Sequence, residues 1–450
     1  MKMRGVYIAC FLFLSTAVAF GQQTDANAPR TLTLREAVDL ALKHNHVVRI
    51  AQSSVDEKQS AKDVARSSYY PTLRNDSSFV HLTDTEFIGI PAGGFGVVDS
   101  DPIPARTVIL NQGGVNATTS GTGLVQPLTQ LLKIRAGNQV AAAEVLTTQA
   151  KARGIENTVA LTVHQLYYRI LIAQMQRSAV QAKIQASDDL QSERVQQVKY
   201  GSALDAELIE SRAQALQSKQ ELLTTDLQLS DLRMQLNDVI GLPLAAIVAL
   251  DPNVATPAAD VCAREECAKL ALESHPEVAE ARADVEKAES AVRAAKYEYI
   301  PDVEAFARYS YTDNVPFLAR NFGSFGVHLS YELFDGGKKR YMLRERDAQV
   351  AQAKENLARV SDEVELRVQT ASNKLERTKQ MIADSEELLA LRKESRRESA
   401  QQLVQGSALR SQAQVAVAQE LEAGALLLQS QLDYVQAQDE MTVAVGKTPE

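Results

Sequence analysis

The chain has no tryptophan, and aromatic residues make up only 5% of its 450 positions. Ala, Gln, Leu, Glu, Lys and Arg fill long stretches in their place, the composition of extended helices rather than of an aromatic-rich core. Cysteine is nearly absent. Of three, Cys10 lies at the N-terminus, leaving Cys262 and Cys267. Long apolar runs are absent beyond Val18, so no later segment spans a bilayer as a helix, and any spanning must be done by strands. Basic excess is absent too. The net charge is −9, and removal of a leader carrying Lys2 and Arg4 makes it more negative, which argues against a nucleic-acid partner. No Gly-rich phosphate loop, nucleophile elbow or zinc motif occurs, so nothing points to an enzyme, a cofactor or a bound metal.

Residues 1–21 read as a signal peptide. Lys2 and Arg4 precede an apolar run, Val6 to Val18, and Ala17-Val18-Ala19 and Ala19-Phe20-Gly21 are candidate cleavage sites. Too little apolar sequence precedes Cys10 for a lipobox, and Tyr7 stands where Leu is wanted.

What the chain does have is itself, twice. Shifted by 230, Glu36 to Pro71 lies on Glu266 to Pro301 without a gap, with about a third of positions identical. Farther on the shift is 205, and Gly201-Ser202-Ala203-Leu204 falls on Gly406-Ser407-Ala408-Leu409. The change of shift means that the first copy carries about 25 more residues between Leu73 and Leu124. A unit this long is a duplicated half-protein, since solenoid periods run roughly 20–50 residues. The expected division is 22–243, a linker 244–263, and 264–450.

Each copy gives one order of elements. A short amphipathic helix breaks at His44-Asn45-His46 and at Ser274-His275-Pro276, and a longer helix then ends at Pro71 and Pro301. Two strands follow, read at 73–82 and 115–125, and at 303–312 and 325–333, the second pair with clear period-2 alternation. Gly- and Pro-rich sequence fills the space between the first pair, at the end away from the helices. Next comes a very long helix. Residues 338–405 contain no Gly or Pro, and 135–200 match them, interrupted at Gly137 and Gly154. Such a helix is on the order of 100 Å long. Gly201 and Gly406 end these helices as C-caps, and a shorter helix returns. Four strands cannot close a barrel, which needs about eight. A chain that put them in a membrane would have to oligomerise.

Thr33 and Glu36 form a capping-box pattern, which makes Leu32 and Ala37 a hydrophobic staple. Cys262 and Cys267 occupy the same two places in the second copy, so after export a disulfide there is an expectation, with two small buried thiols as the alternative. His44 and His46 at a helix break read as solvated or capping groups rather than as a metal site.

The duplicated order, the helix breaks Ala41-Leu42-Lys43-His44-Asn45 and Ala271-Leu272-Glu273-Ser274-His275-Pro276, the Tyr-x-Pro switches at Tyr69–Pro71 and Tyr299–Pro301, and the paired Gly-Ser-Ala-Leu turns together resemble the TolC-type outer-membrane efflux proteins. The resemblance implies a mainly α fold with a small β part. It implies a homotrimer with a twelve-stranded barrel in outer-membrane lipid and a hollow α-barrel crossing the periplasm. The partners it implies are a periplasmic adaptor and an inner-membrane transporter, in efflux or type I secretion. A secreted periplasmic coiled-coil scaffold is the alternative.

The same resemblance makes the helix turns the adaptor-contact tip: Tyr200, Gly201, Ser202, Ala203, Leu204 and Asp205, with Gly406, Ser407, Ala408, Leu409 and Arg410. The opposite charges of Asp205 and Arg410 suggest a latch between protomers. Glu394 and Glu398 could form an aperture ring selecting cations, with a solvated mixed-charge face as the alternative.

Overall fold

The computed structural model describes residues 31–84, 87–111, 114–253, 262–315 and 318–449. The signal-peptide reading and residues 254–261 of the linker fall outside them. In chain order the elements of the first repeat are β1 (Thr31–Leu32), α1 (Leu34–His44), α2 (His46–Ser67), β2 (Thr72–His81), β3 (Phe87–Ile90), β4 (Val97–Val98), β5 (Asp101–Pro102), β6 (Val108–Asn111), β7 (Asn116–Pro127), α3 (Leu131–Lys199) and α4 (Asp205–Val239). Then come β8 (Ala249–Leu250), α5 (Arg264–Ser274), α6 (Pro276–Tyr297), β9 (Asp302–Asp313), β10 (Asn321–Ser330), α7 (Lys338–Val404) and α8 (Arg410–Ala444).

The duplication is therefore structural. α1 and α2 have the bounds of α5 and α6 at the shift of 230, and α4 has those of α8 at 205. Local chemistry explains the shared ends. Thr33 Oγ1 accepts from Glu36 N (3.3 Å) while Glu36 Oε2 accepts from Thr33 N (3.1 Å), so α1 starts with a complete capping box. Gly201 and Gly406 take left-handed φ values of 72° and 71°. The N–H of Ser202 then reaches Gln197 O (2.8 Å), and that of Ser407 reaches Gln402 O (2.9 Å). Both long helices thus end in a Schellman turn.

One four-stranded antiparallel sheet has the order β10-β9-β7-β2. The two hairpins join where β7, last of its repeat, pairs with β9, first of the next. β2 and β10 are left as edges. The strands are 10 or 12 residues long, enough to cross a bilayer when tilted. Pairing puts Arg74, Asp76, Glu304 and Arg308 on one face. The other face carries Leu73, Phe79, Leu124, Ala307, Tyr309, Phe325, Val327 and Leu329, with the charge of Asp313 at the end of β9. Asn75, Ser77, Ser120 and Thr122 also lie on that face, where they hydrogen-bond one another. The extra residues of the first repeat form two small hairpins, β3–β6 and β4–β5, beyond the end of β2 and β7.

Two expectations need correction. β10 runs from Asn321 to Ser330, not 325 to 333. Ser330 pairs with Asp302, and the next partner would be Pro301, which has no N–H to offer, so the strand stops and Leu333 and Phe334 lie exposed. Gly137 and Gly154 do not interrupt α3, which is continuous over 69 residues. A helical Gly costs about 1 kcal/mol, and packing along the helix outweighs it.

α3 is central. It packs on α2 and α6 near the sheet and on α4 and α8 toward the turns, while α7 packs on α6 and α8. The helices thus form a curved layer, α2-α3-α6-α7 above and α4-α3-α8-α7 below, with free edges at α2/α4 and at α7.

Candidate functional site

Among the described residues no group of side chains could hold a metal ion, and no helix is long and apolar enough to cross a membrane. The functional geometry lies at the two ends of the long helices and at their waist.

At the waist, β1 and β8 pair in parallel, Thr31 with Ala249 and Leu32 with Leu250, tying the chain ahead of α1 to the linker. The Tyr167 hydroxyl lies 2.9 Å from Leu32 O and 2.8 Å from Asp251 O, and burial pushes its pKa up to about 12. In the first repeat Leu32 and Ala37 are buried together as the staple. In the second, Cys262 and Cys267 are disulfide-bonded at a Cα–Cα distance of 5.4 Å.

The helix breaks dock on the glycine turns that end α4 and α8. A Cβ on Gly241 would lie 2.6 Å from His44 Cβ, and one on Gly446 would lie 2.6 Å from His275 Cα. Asn45 caps the first break, its Oδ1 accepting from Val47 N (2.8 Å) and its Nδ2 donating to Val239 O (3.1 Å). His275 does the same work in the second, Nδ1 accepting from Glu277 N (3.2 Å). Burial lowers the His275 pKa, which keeps that nitrogen an acceptor. His44 and His46 are the last residue of α1 and the first of α2.

One cluster escaped the sequence reading. His164 on α3 and Asp439 on α8 meet through Nδ1 and Oδ2 at 2.7 Å, and the Tyr168 hydroxyl donates to the same oxygen at 2.9 Å. His164 is fully buried and Asp439 is 3% exposed. Burial, then the Asp439 charge, pushes the Tyr168 phenol well above its ordinary range. The partners stand 275 residues apart, and no local pattern announces them.

At the tip, Tyr200, Leu204 and Val404 are strongly exposed. Gly201, Ser202, Asp205, Gly406, Ser407, Leu409 and Arg410 are exposed around them, and Ala203 and Ala408 are half-buried. Within the protomer, Arg410 Nε lies 3.4 Å from Asp189 Oδ2 on α3, a tie inside the chain. Glu193 reinforces that tie, accepting from Ser411 N (2.9 Å) and from the Ser411 hydroxyl, which caps α8. Glu394 pairs with Arg397 one turn on (2.8 Å), and Glu398 is exposed.

Residues 267–447 match the family described as outer membrane efflux protein. Those residues are the second repeat, of which the first is a copy in sequence and in structure. The second repeat of this chain is thus similar to that family. Three solved structures show the fold over nearly the whole length. The outer membrane protein VceC of Vibrio cholerae is 16% identical, with 93% of this chain and 97% of that one covered at a TM-score of 0.74. The CmeC outer membrane channel of Campylobacter jejuni is 14% identical, with 99% and 95% covered at 0.71. The open state of the MtrE outer membrane channel of Neisseria gonorrhoeae is 15% identical, with 92% and 89% covered at 0.68. No curated protein matches the chain. The whole chain thus has the fold of these outer-membrane channels.

Proposed function

We propose that three copies of this chain form a passive exit duct, which receives cargo from a periplasmic adaptor and an inner-membrane transporter. The observation that carries this reading is the pair of open sheet edges, β2 and β10. Strand edges cannot stay unpaired in lipid. The fold itself supplies the pairing that closes them: β7 with β9 joins repeat to repeat, and β10 with β2 of the next copy is the same contact repeated. Three copies of a four-stranded sheet give twelve strands. The face with Arg74, Asp76, Glu304 and Arg308 then lines water, and the face with Leu73, Phe79, Phe325, Val327 and Leu329 meets lipid. Copies joined this way extend the helix layer into a tube on the order of 100 Å long.

Such a duct makes and breaks no bonds. Its chemistry is docking at the tip, where exposed Tyr200, Leu204 and Leu409 and the backbone of the Gly-Ser turns offer a partner's helical hairpin apolar surface and close approach. Tripartite efflux is favoured over type I secretion because the matched family is an efflux family.

Electron microscopy of the protein extracted from envelopes in detergent tests this reading. Threefold tubes with a detergent belt at one end are expected. Soluble rods without a belt would overturn it and leave the periplasmic scaffold.

A further inference from the structure

The internal repeat allows a contact inside one protomer to be translated into the contact between protomers. Within the chain, α3 meets α8 along a line fixed by Asp439 on His164 at one end and Ser411 on Glu193 at the other. Between these ends the buried residues of α8 include Ala418, Ala425 and Leu432, spaced by seven. Shifted by 205, the α8 line becomes Ala206, Ala213, Gln220, Leu227 and Met234 on α4, and each is exposed. The opposing α3 positions His164, Tyr168, Ala186, Asp189 and Glu193 become Gln369, Asn373, Leu391, Glu394 and Glu398 on α7, also exposed. α4 and α7 are the two free edges of the helix layer. A second copy of this chain fits both, with the register already written in the first.

The translation is not neutral at the tip. Arg410 becomes Asp205, and its partner Asp189 becomes Glu394. Ser411, which receives Glu193, becomes Ala206, and Glu193 becomes Glu398. An attractive pair and a helix cap inside the protomer are thus replaced, between protomers, by facing carboxylates and no cap. Arg397 screens Glu394 along its own helix. Asp205 and Glu398 make no ion pair among the described residues.

We propose that the α4–α7 seam between copies is the weak line of the periplasmic tip, with Asp205 of one copy set against Glu394 and Glu398 of the next, so that the tip parts between protomers while the α3–α8 seam stays tied. The inference rests on the trimeric duct reading and adds to it where, and through which residues, the tube yields.

The test restores the missing pair. Asp205→Arg gives the seam between copies the charge pattern of the seam within. In planar bilayers the variant's single-channel conductance should fall several-fold below that of the unmodified trimer. Adding Glu394→Arg and Glu398→Arg to it should bring conductance back. In a separate pair, Ala206→Cys with Glu398→Cys should form a disulfide between copies, seen as a higher-mass band without reductant, more fully when Asp205→Arg is also present. Light scattering on each sample reports assembly first. A trimer whose conductance ignores Asp205→Arg, or whose cysteines fail to join copies, overturns this inference and leaves the duct standing. A protein that never assembles overturns both.

Discussion

α3 and α7 are copies of one helix, yet α3 buries nineteen of its residues in the protomer and α7 only six. The difference is one of neighbours. α3 has helices on both sides, and α7 has them on one. Their sequences record it. Where α3 carries His164, Tyr167 and Tyr168 in the interior, α7 carries Gln369, Ser372 and Asn373 on or near the surface. A duplicated half can keep its backbone plan while each copy adapts to what covers it. The copy that meets its counterpart within the chain has gained a buried polar cluster. The copy with one side uncovered carries exposed polar residues there, Gln369 and Asn373 among them.

The sharpest way to break the comparison is to remove Asp439. His164 and Tyr168 would stay buried without their shared acceptor, and the loss should be on the order of 4 kcal/mol. On the exposed line, Gln369→Ala, at the position that copies His164, should lie within about 0.5 kcal/mol for the protomer fold. Thermal unfolding followed by helical circular dichroism compares the two. Equal shifts would mean that the His164–Asp439 contact does not hold α3 to α8.

A second comparison sets the glycines of the two turn types side by side. Gly406 needs its positive φ but has open space around it, whereas Gly446 combines a φ of 91° with the backbone of Ser274 and His275 within 2.9 Å of an added Cβ. Gly406→Ala should therefore cost about 1–2 kcal/mol, the strain of the left-handed backbone alone. Gly446→Ala should cost on the order of 3 kcal/mol, because the α5–α6 break must also move away. The same melts measure both, and a Gly446→Ala loss no larger than that of Gly406→Ala would deny the close docking a structural role.

The contrast also explains what was legible in the sequence. The Thr33–Glu36 box, the prolines after α2 and α6 and the Gly-Ser turns are local devices, and each marks an element end without help from the rest of the fold. The order of elements follows from them. The His164–Asp439 cluster and the Asp189–Arg410 tie are not local. Each joins residues of different repeats, and Asp189 lies far from Arg410 in sequence. The extent of β10 differs from its alternation for a related reason. Alternation continues past Ser330 to Leu333, but the partner strand ends at Asp302, and pairing rather than pattern sets the limit. The residues that the proposed assembly would join are legible only once the repeat is laid on the structure, since nothing in a single helix says which face a second copy would cover.

The smallest effect tests how the two helix breaks differ in response to acid. Asn45 caps the first with an amide that does not titrate. His275 caps the second through an unprotonated Nδ1, held so by burial that lowers its pKa below the ordinary 6.5. A group that binds its proton more weakly when folded gives stability that is full above the unfolded value and is lost as pH falls through 6.5 toward the folded value. Glu277, held low first by its hydrogen bond from Arg367, adds a separate loss that begins only near 4.5. Between these two values, acid should weaken the second break alone. His275→Asn gives it the cap of the first and should remove the part of the acid loss that begins at 6.5, leaving the part near 4.5 in place. Unfolding temperatures of the two proteins on either side of pH 6.5 decide the matter. If both fall alike between pH 6.5 and 4.5, the two breaks are interchangeable and the asymmetry between the repeats has no consequence there.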